Sequence, residues 1–394
     1  MKRILAFILT ILMFLFAFAS CGHNESFEDE SESMIEDEEF EGEESDGETE
    51  TQESDETQSD NEDKKDDEKE DDSKETYTRK ENKIAFGSYP QTKVTDKKLL
   101  ETLEKKAKTL PTPSNKGAWT PYDYYISGKK DTDFMWYIDV TEGEYEYRGV
   151  YFTSYRPNYT QYSSSDTNSN QDDNGYLMSS ASESHVYWFK YEPISWTILS
   201  ENKENGTALI LCDMIIDSQE YHGEYEYDSN SGKYYNSCED IAKKIYANNY
   251  KYSAVRNWLN ETFYKTAFNK LQKELIVETT VNNDAKSTGF ATNDYAFYDT
   301  NDKVFLLSYQ EATNESYGLN DAARQKKTTD YAQSQGSYII KDENGIGNGY
   351  WWLRSPSNEV SYDASFVNND GSVDYYDVYF VSRGIVPALQ IKLK

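Results

Sequence analysis

The chain has 394 residues, a formal net charge of −32 at pH 7, three histidines and three cysteines. So acidic a chain repels nucleic-acid phosphates, which argues against a nucleic-acid partner. The sequence contains no HExxH motif, no set of histidines that could form a three-histidine zinc site, no GxSxG elbow, no P-loop and no dinucleotide-binding glycine motif. We therefore expect no metal site and no cofactor.

The chain begins with the layout of a secretory signal. Two basic residues, Lys2 and Arg3, precede an apolar run over 4–19, and small residues come directly before Cys21. A cysteine in this position resembles the bacterial lipobox, so we expect removal of residues 1–20 and lipidation of Cys21. The alternative is an uncleaved anchor, although the run is shorter than the roughly 20 residues of a spanning helix. Both alternatives tether the protein to the extracytoplasmic face of the cell membrane.

A highly charged segment follows. Residues 22–82 hold 29 acidic and six basic side chains, a net charge of −23, which leaves −11 for residues 83–394. Segments with so few apolar side chains cannot offset the entropy of ordering, and like charges extend them. We expect residues 21–82 to be a disordered acidic linker. The alternative is an acidic tail that recruits cations or a basic partner.

Residues 83–394 are long enough to bury a large core, as one domain or as two packed halves. The strand candidates share a high content of aromatic and β-branched residues and lie at 134–140, 147–155, 185–200, 207–217, 303–308 and 383–393. With the helices described next, they predict an α+β fold with mixed or antiparallel sheets and a few helices. The polar stretch 159–184 is predicted to be a surface insertion.

Two segments have helical periodicity. One spans 95–108, and the other spans 253–271 and begins with Ser253 as a cap. In the second helix Trp258 shares an apolar stripe with neighbouring residues, which predicts a core position. The alternative for Trp258 is a role in ligand binding.

The sequence gives only weak evidence for a disulfide or for a calcium site. Cys212 and Cys238 could form a disulfide, but Cys212 also lies in an apolar run that suits a buried free thiol. The stretch NQDDNG (170–175) approaches a calcium loop and lacks both its first aspartate and its final glutamate. A solvated loop is the better interpretation.

A serine nucleophile would have to use His185 or His222, and neither lies in a catalytic motif.

The stretch YWWLRSPSNEV (350–360) predicts a strand that ends at Pro356. Strand alternation places Trp351 and Leu353 on one face, which we predict to be packed. The opposite face carries an arginine that either holds the fold together internally or grips an anionic ligand. On the second alternative, the candidate ligand-binding residues are Tyr350, Trp352, Arg354, Asn358, Asn369 and Asp370.

Several segments in order, among them IAFGSYPQT (84–92), EPISWTIL, SAVRNWLNETF, DKVFLLS, YWWLRSP and GIVPALQIKL, resemble an uncharacterised family, a domain of unknown function frequent in bacterial surface lipoproteins. The resemblance spans nearly all of 84–394 and implies no established activity. The order of a Trp/Arg strand, NNDG (368–371) and RGIVPAL is similar to the end of C-type-lectin-like domains and of formylglycine-generating-enzyme relatives. This implies a C-type-lectin-like C-terminal part. The reactive cysteine pair of those enzymes and the Trp-Asn-Asp run of calcium-dependent lectins are missing here.

The sequence favours a membrane-tethered extracytoplasmic binding module whose ligand is a glycan, peptidoglycan or another cell-wall fragment, or a protein. The anchor, the spacer and the many tyrosines and tryptophans support this, because such rings present large rigid contact faces. The alternatives are an enzyme, of the formylglycine-generating or carboxylate-hydrolase type, and a purely structural surface protein. A cleft lined by close carboxylates would favour the enzyme, and a shallow aromatic face would favour binding.

Overall fold

A computed structural model of the chain describes residues 76–111, 115–122, 124–126, 129–131, 135–152, 186–223, 225–341, 347–380 and 383–393. The predicted signal peptide (1–20), Cys21, most of the predicted acidic linker, the predicted insertion at 159–184 with the NQDDNG stretch, and His185 lie outside these residues. Within them, no helix combines the length and the apolar character that crossing a membrane requires.

The described strands are, in chain order, β1 (Thr78–Lys80), β2 (Lys83–Lys93), β3 (Thr120–Pro121), β4 (Tyr124–Ile126), β5 (Lys129–Asp131), β6 (Met135–Glu142), β7 (Tyr145–Phe152), β8 (Val186–Asn202), β9 (Thr207–Cys212), β10 (Asp217–Ser218), β11 (Glu226–Asp228), β12 (Lys233–Tyr235), β13 (Ile276–Val277), β14 (Thr279–Val281), β15 (Thr300–Asp302), β16 (Ile339–Lys341), β17 (Gly347–Gly349), β18 (Trp351–Pro356), β19 (Asp363–Val367), β20 (Val373–Asp377), β21 (Gly384–Ile385) and β22 (Ala388–Lys392). The α-helices are α1 (Lys97–Ala107), α2 (Ala254–Trp258), α3 (Tyr264–Ala267), α4 (Lys270–Lys273), α5 (Tyr309–Ala312), α6 (Asp321–Arg324) and α7 (Asp330–Gln335). Long strands and short helices make this an α+β protein, as the sequence predicts.

The larger sheet is built around β8. Its strand order is β13, β22, β9, β8, β7, β6, β3, with β2 also paired to β8 and β1 paired to β2, and all its pairings are antiparallel. The first four residues of β8 are buried on both faces, and its last three are exposed. The aromatic and branched residues of this strand therefore lie in the core.

The smaller sheet has the order β10, β21, β18, β19, β20, and only the β18–β21 pair is parallel. Its middle strand β18 is buried along its whole length, whereas β20 alternates between half-buried and exposed residues. The mostly antiparallel arrangement predicted from the sequence is confirmed. β20 lies at the edge of this sheet, which places its exposed residues on the surface.

The folded part begins before residue 83. Strand β1 pairs with β2, Tyr77 packs against the main core, and Arg79 forms a 2.5 Å ion pair with Glu201. The predicted linker, 21–82, thus extends too far at its C-terminal end. The predicted boundary is misplaced because residues 76–82 are too few to change the acidic composition of the segment from which the linker is predicted.

The first predicted helix exists and has an N-terminal cap. In α1, Asp96 accepts a 2.8 Å hydrogen bond from the backbone N–H of Leu99, and Leu103 is fully buried. The second is interrupted. Ser253 caps α2, a π-helical turn follows over Leu259–Phe263, and the chain becomes extended at Phe268 between α3 and α4.

The interruption changes the position of Trp258. The predicted core position is wrong in degree, because the indole is only partly buried and packs at the edge of the core, 5.6 Å from the Phe263 ring. A π turn adds a residue to the turn, so the apolar stripe assumed for a regular helix rotates at this point.

Two strand predictions also need correction. The segment 303–308 is buried but makes only a single bridge, in which Phe305 and Ala388 exchange backbone hydrogen bonds. The backbone carbonyls of Leu306 and Leu307 are instead taken by Arg354. The predicted strand 383–393 divides into β21 and β22 around Pro387, which has no N–H to donate.

Cys212 is a buried free thiol, so the disulfide with Cys238 is not formed. Burial raises the pKa of the Cys212 thiol to about 12. The thiol therefore stays protonated at neutral pH and is a poor nucleophile.

Candidate functional site

Strand β18 is packed on both faces. Trp351 and Leu353 are fully buried, as predicted, and the Trp351 indole N–H donates a 3.0 Å hydrogen bond to the carbonyl of Arg324. Trp352 is also fully buried, and its indole N–H donates to the carbonyl of Gln219 at 3.1 Å. This strand is therefore an internal wall of the smaller sheet.

Arg354 is 1% exposed, and its guanidinium is surrounded by acceptors from other segments. Its Nη1 donates to the carbonyl of Leu306 at 2.7 Å and to Glu311 at 2.5 Å. Its Nε donates to the side chain of Asn283 at 3.1 Å, and its Nη2 donates to the carbonyl of Asn282 at 3.0 Å. This geometry favours the first alternative from the sequence, an arginine that holds the fold together.

The other candidate residues are divided among three places. Asn358 is exposed just beyond β18, and Asn369 is half-buried in the turn that joins β19 and β20. Asp370 in the same turn accepts hydrogen bonds from the N–H and hydroxyl of Ser372. Tyr350 and Trp352 lie elsewhere, in the ring cluster described next. The six residues therefore do not form one surface.

A continuous run of aromatic rings crosses the smaller sheet, and neighbouring ring centroids are 4.4–6.3 Å apart. We call it the aromatic belt. In spatial order it consists of Tyr227, Tyr234, Tyr225, Tyr379, Phe380, Tyr376 and Phe366, and at Phe366 it divides into Trp352 on one branch and Tyr350 and Tyr338 on the other. Trp352 and Phe366 are its buried members. Tyr227 is 38% exposed and Tyr376 is 40% exposed, so the belt reaches solvent at more than one point.

Arg383 packs into the middle of the aromatic belt and is 7% exposed. Its guanidinium carbon lies 3.8 Å from the ring centroid of Tyr376, 4.7 Å from Phe366 and 5.5 Å from Tyr350. Cation–π contacts of this kind are stabilising when the cation is desolvated. Arg383 therefore holds rings from three strands and loops in fixed positions.

Two carboxylates lie beside the belt. Asp363 of β19 and Asp377 of β20 are direct cross-strand partners, so their side chains share one face of the sheet. The Tyr225 hydroxyl lies 3.3 Å from one oxygen of Asp377 and 3.5 Å from the other, and donates to the carboxylate. Burial, together with the charge of Asp363, raises the pKa of Asp377 to about 7. Burial, followed by the charge of Asp374, raises the pKa of Asp363 to about 6.

The raised pKa of Asp377 predicts a specific pH dependence. A carboxyl group whose pKa is higher in the folded than in the unfolded protein destabilises the fold once it ionises. Relative to the wild type, the free energy of unfolding of Asp377→Asn should rise by about 1.4 kcal/mol per pH unit between pH 5 and 7 and then level off. Urea denaturation at several pH values measures this.

Asp370→Asn is the matched control for this prediction. Hydrogen bonds from Ser372 lower the pKa of Asp370, so its ionised form is the one that the fold favours. Removal of this carboxylate should therefore change stability in the opposite direction as the pH rises. Parallel pH profiles for the two variants would contradict the assignment of Asp377 as a destabilising carboxylate.

Sequence reasoning missed Arg383 and most of the belt. The run VDYYDVYF (373–380) contains the signal, because four aromatic residues and two acids in eight positions exceed what an edge strand needs for packing. The belt combines this run with Tyr225, Tyr227 and Tyr234, which lie about 140 residues earlier. Their proximity in space cannot be read from spacing.

No group of three or more His, Cys, Asp or Glu side chains that could hold a metal ion occurs among the described residues. His222 donates its backbone N–H to the carbonyl of Val378, next to Asp377. Burial lowers the pKa of the His222 imidazole to about 4, so it is neutral at physiological pH.

Residues 205–393 match the family model of a domain of unknown function, DUF6273. The matched region contains the whole aromatic belt, Arg354 and Arg383. It confirms the coarser part of the resemblance seen in the sequence, which is to an uncharacterised domain family. No curated protein and no solved structure matches the chain. The likeness of the C-terminal part to C-type-lectin-like domains stays a prediction.

Proposed function

We propose that the protein is a membrane-tethered extracytoplasmic binding module that contacts a glycan through the aromatic belt. The observation that carries the proposal is the continuous run of rings with exposed members at Tyr227 and Tyr376. Tyrosine rings offer a flat apolar face to a sugar ring and a hydroxyl to its edge. Exposed tyrosine rings of this kind are typical of binding surfaces.

The polar groups beside the rings support a carbohydrate rather than a purely apolar ligand. Asp374 is exposed and lies two residues from Tyr376 on β20, so both side chains share one face of this edge strand, whereas the partly buried Asp363 and Asp377 lie on the other face. Carboxylates accept hydrogen bonds from hydroxyl groups and can do so with both oxygens. A sugar unit stacked on the rings would meet such acceptors at the edge of β20.

The tether in this proposal comes from the N-terminal sequence. A lipid on Cys21 would hold the mature chain at the extracytoplasmic face of the cell membrane, and the acidic linker would let the body move away from it. Glycans and peptidoglycan are the polymers that such a body would meet outside the membrane. Inhibition of lipoprotein signal peptidase should accumulate a larger precursor if Cys21 is lipidated.

Truncation of the exposed rings tests the proposal directly. Tyr376→Ala and Tyr227→Ala should each weaken binding of the full-length protein by about tenfold, the effect expected for an aromatic anchor. A glycan and peptidoglycan array first identifies the ligand, and titration calorimetry then measures the affinity of each variant.

Tyr298→Ala is the matched control for these variants, because Tyr298 is 84% exposed and is not part of the belt. It should bind like the wild type. A wild-type protein that binds no glycan or peptidoglycan on the array would reject the proposal. So would belt variants that bind as tightly as the control.

Hydrolysis is a second candidate function, and the cross-strand pair Asp363 and Asp377 is the observation that favours it. Glycosidases use two carboxyl groups, one of them with a raised pKa that serves as the general acid. Release of reducing ends from a bound glycan by the wild type, with loss of release in Asp377→Asn, would establish it. Binding without release would leave the binding module.

A further inference from the structure

We propose that a second surface site, separate from the aromatic belt, binds an acidic sugar, meaning a saccharide that carries a carboxylate. The site is a depression of about 490 Å³ beside α2, with Lys251, Tyr252, Arg256 and Lys303 among its lining residues. This volume lies in the range of small-molecule sites and is far larger than an inorganic anion needs.

Arg256 forms a rigid part of the lining. Its Nε donates a 2.7 Å hydrogen bond to Asp302, whose side chain is fully buried, and its Nη1 donates to the carbonyl of Lys251 at 2.9 Å. Its Nη2 donates to the carbonyl of Asn301 at 3.3 Å. These contacts and the Nη2–Asp302 ion pair use at most four of the five guanidinium N–H groups, so at least one N–H remains for a ligand.

The two lysines of the depression supply the unbalanced charge. Lys251 and Lys303 are both partly buried, and neither has an ion-pair partner among the described residues. The ammonium of Lys303 instead lies 4.6 Å from the ring centroid of Tyr264, and that of Lys251 lies 5.7 Å from Tyr252. Partial burial of an unpaired cation costs free energy, which a bound carboxylate would offset.

The acidic side chains of the depression do not cancel this charge. Glu261 is exposed and forms a 2.5 Å ion pair with Lys265, and the charge of Lys303 acts on it more weakly, while Arg256 is paired with Asp302. Two ammonium groups then face one remaining carboxylate of the lining, Glu278, which is exposed. The lining therefore carries more cationic than anionic side chains, in a body whose own net charge is −11.

The neutral groups indicate that the anion is part of a sugar. Tyr252 is 48% exposed and offers a ring face at the depression, and the amides of Asn257 and Asn301 are exposed in its lining. A stacking ring matches the apolar face of a hexuronate, amide donors and acceptors match its hydroxyls, and lysines match its carboxylate. No such combination is needed for phosphate.

Titration calorimetry of the full-length protein at low ionic strength with sodium glucuronate, glucose and inorganic phosphate tests the site. Glucuronate should bind at least tenfold more tightly than either glucose or phosphate. Lys251→Gln and Lys303→Gln should each weaken glucuronate binding at least fivefold. Glu278→Gln should strengthen it, because this variant removes the opposing carboxylate.

Lys105→Gln is the matched control, since Lys105 is an exposed lysine on α1 that does not line the depression, and it should keep the wild-type affinity within twofold. Tyr376→Ala in the aromatic belt should also leave glucuronate binding unchanged, which separates this site from the proposed glycan surface. Phosphate binding as tight as that of glucuronate would overturn the sugar assignment. Absence of glucuronate binding, or equal affinity in Glu278→Gln and both lysine variants, would overturn the site.

Discussion

Arg354→Leu should lower the free energy of unfolding by about 3–5 kcal/mol, because it removes the buried partner of an ion pair with the half-buried Glu311. Glu311 and the side chain of Asn283 would lose their donor, and so would the carbonyls of Leu306 and Asn282. Arg354→Lys keeps the charge but loses the planar fork, so it should still cost at least about 2 kcal/mol. Urea denaturation at pH 7 measures both values.

Arg79→Leu is the control for this prediction, because Arg79 also pairs with a glutamate but does so on the surface. Exposed ion pairs contribute little, so this variant should change stability by less than about 1 kcal/mol. The result that would reverse the assignment of Arg354 is a lysine variant with wild-type stability and no glycan binding. That outcome would return Arg354 to the ligand-binding alternative.

The ion pair also gives the prediction a pH signature. Burial tends to raise the pKa of Glu311, but the charge and hydrogen bond of Arg354 outweigh it and lower the pKa. The pair therefore contributes stability above the ordinary glutamate pKa, and this contribution is lost as the pH falls through the lower folded-state value. In Arg354→Leu this acid-sensitive contribution should be missing.

The different contacts of Arg354 and Arg383 show which part of the structure could not be predicted from the sequence. Alternation along a regular strand places Trp352 and Arg354 on one face, next to the same ligand. The pairing of β18 with β19 shifts register between Trp352 and Pro356, and Arg354 instead contacts residues 282–311. The arginine that does meet Trp352 and Tyr350 is Arg383, about 30 residues later. Only the sheet order brings them together.

Local patterns were reliable where they depend on neighbours in the chain. The Ser253 cap of α2, the apolar face of α1, the burial of Trp351 and Leu353, and the end of β18 at Pro356 follow from local chemistry. The interruption of 253–271 and the irregular course of 303–308 depend on partners elsewhere. The side chain of Asn260, for example, accepts hydrogen bonds from the backbone N–H groups of Lys303 and Val304. Such contacts leave no periodic signal in the sequence.

Trp351→Ala should destabilise the protein by about 3–5 kcal/mol, the cost of removing a large buried ring. Trp351 is fully buried in the middle strand of the smaller sheet, and its indole N–H donates to the carbonyl of Arg324. The Arg324 guanidinium in turn donates to the carbonyls of Gly371 and Leu319, both at 2.7 Å. Loss of the indole would leave a cavity and also an unpaired carbonyl on the segment that holds the β19–β20 turn.

Trp351→Phe separates these two effects, because phenylalanine fills much of the cavity but cannot donate to the Arg324 carbonyl. We expect Trp351→Phe to destabilise the protein less than Trp351→Ala does. It should still destabilise the protein more than Trp258→Ala, because the half-buried Trp258 contributes only part of its surface to the core. Urea denaturation of the three variants gives the order. A Trp351→Ala variant as stable as the wild type would contradict the assignment of β18 as the packed middle strand of the smaller sheet. Contacts other than those with β18 would then have to hold the belt rings in fixed positions.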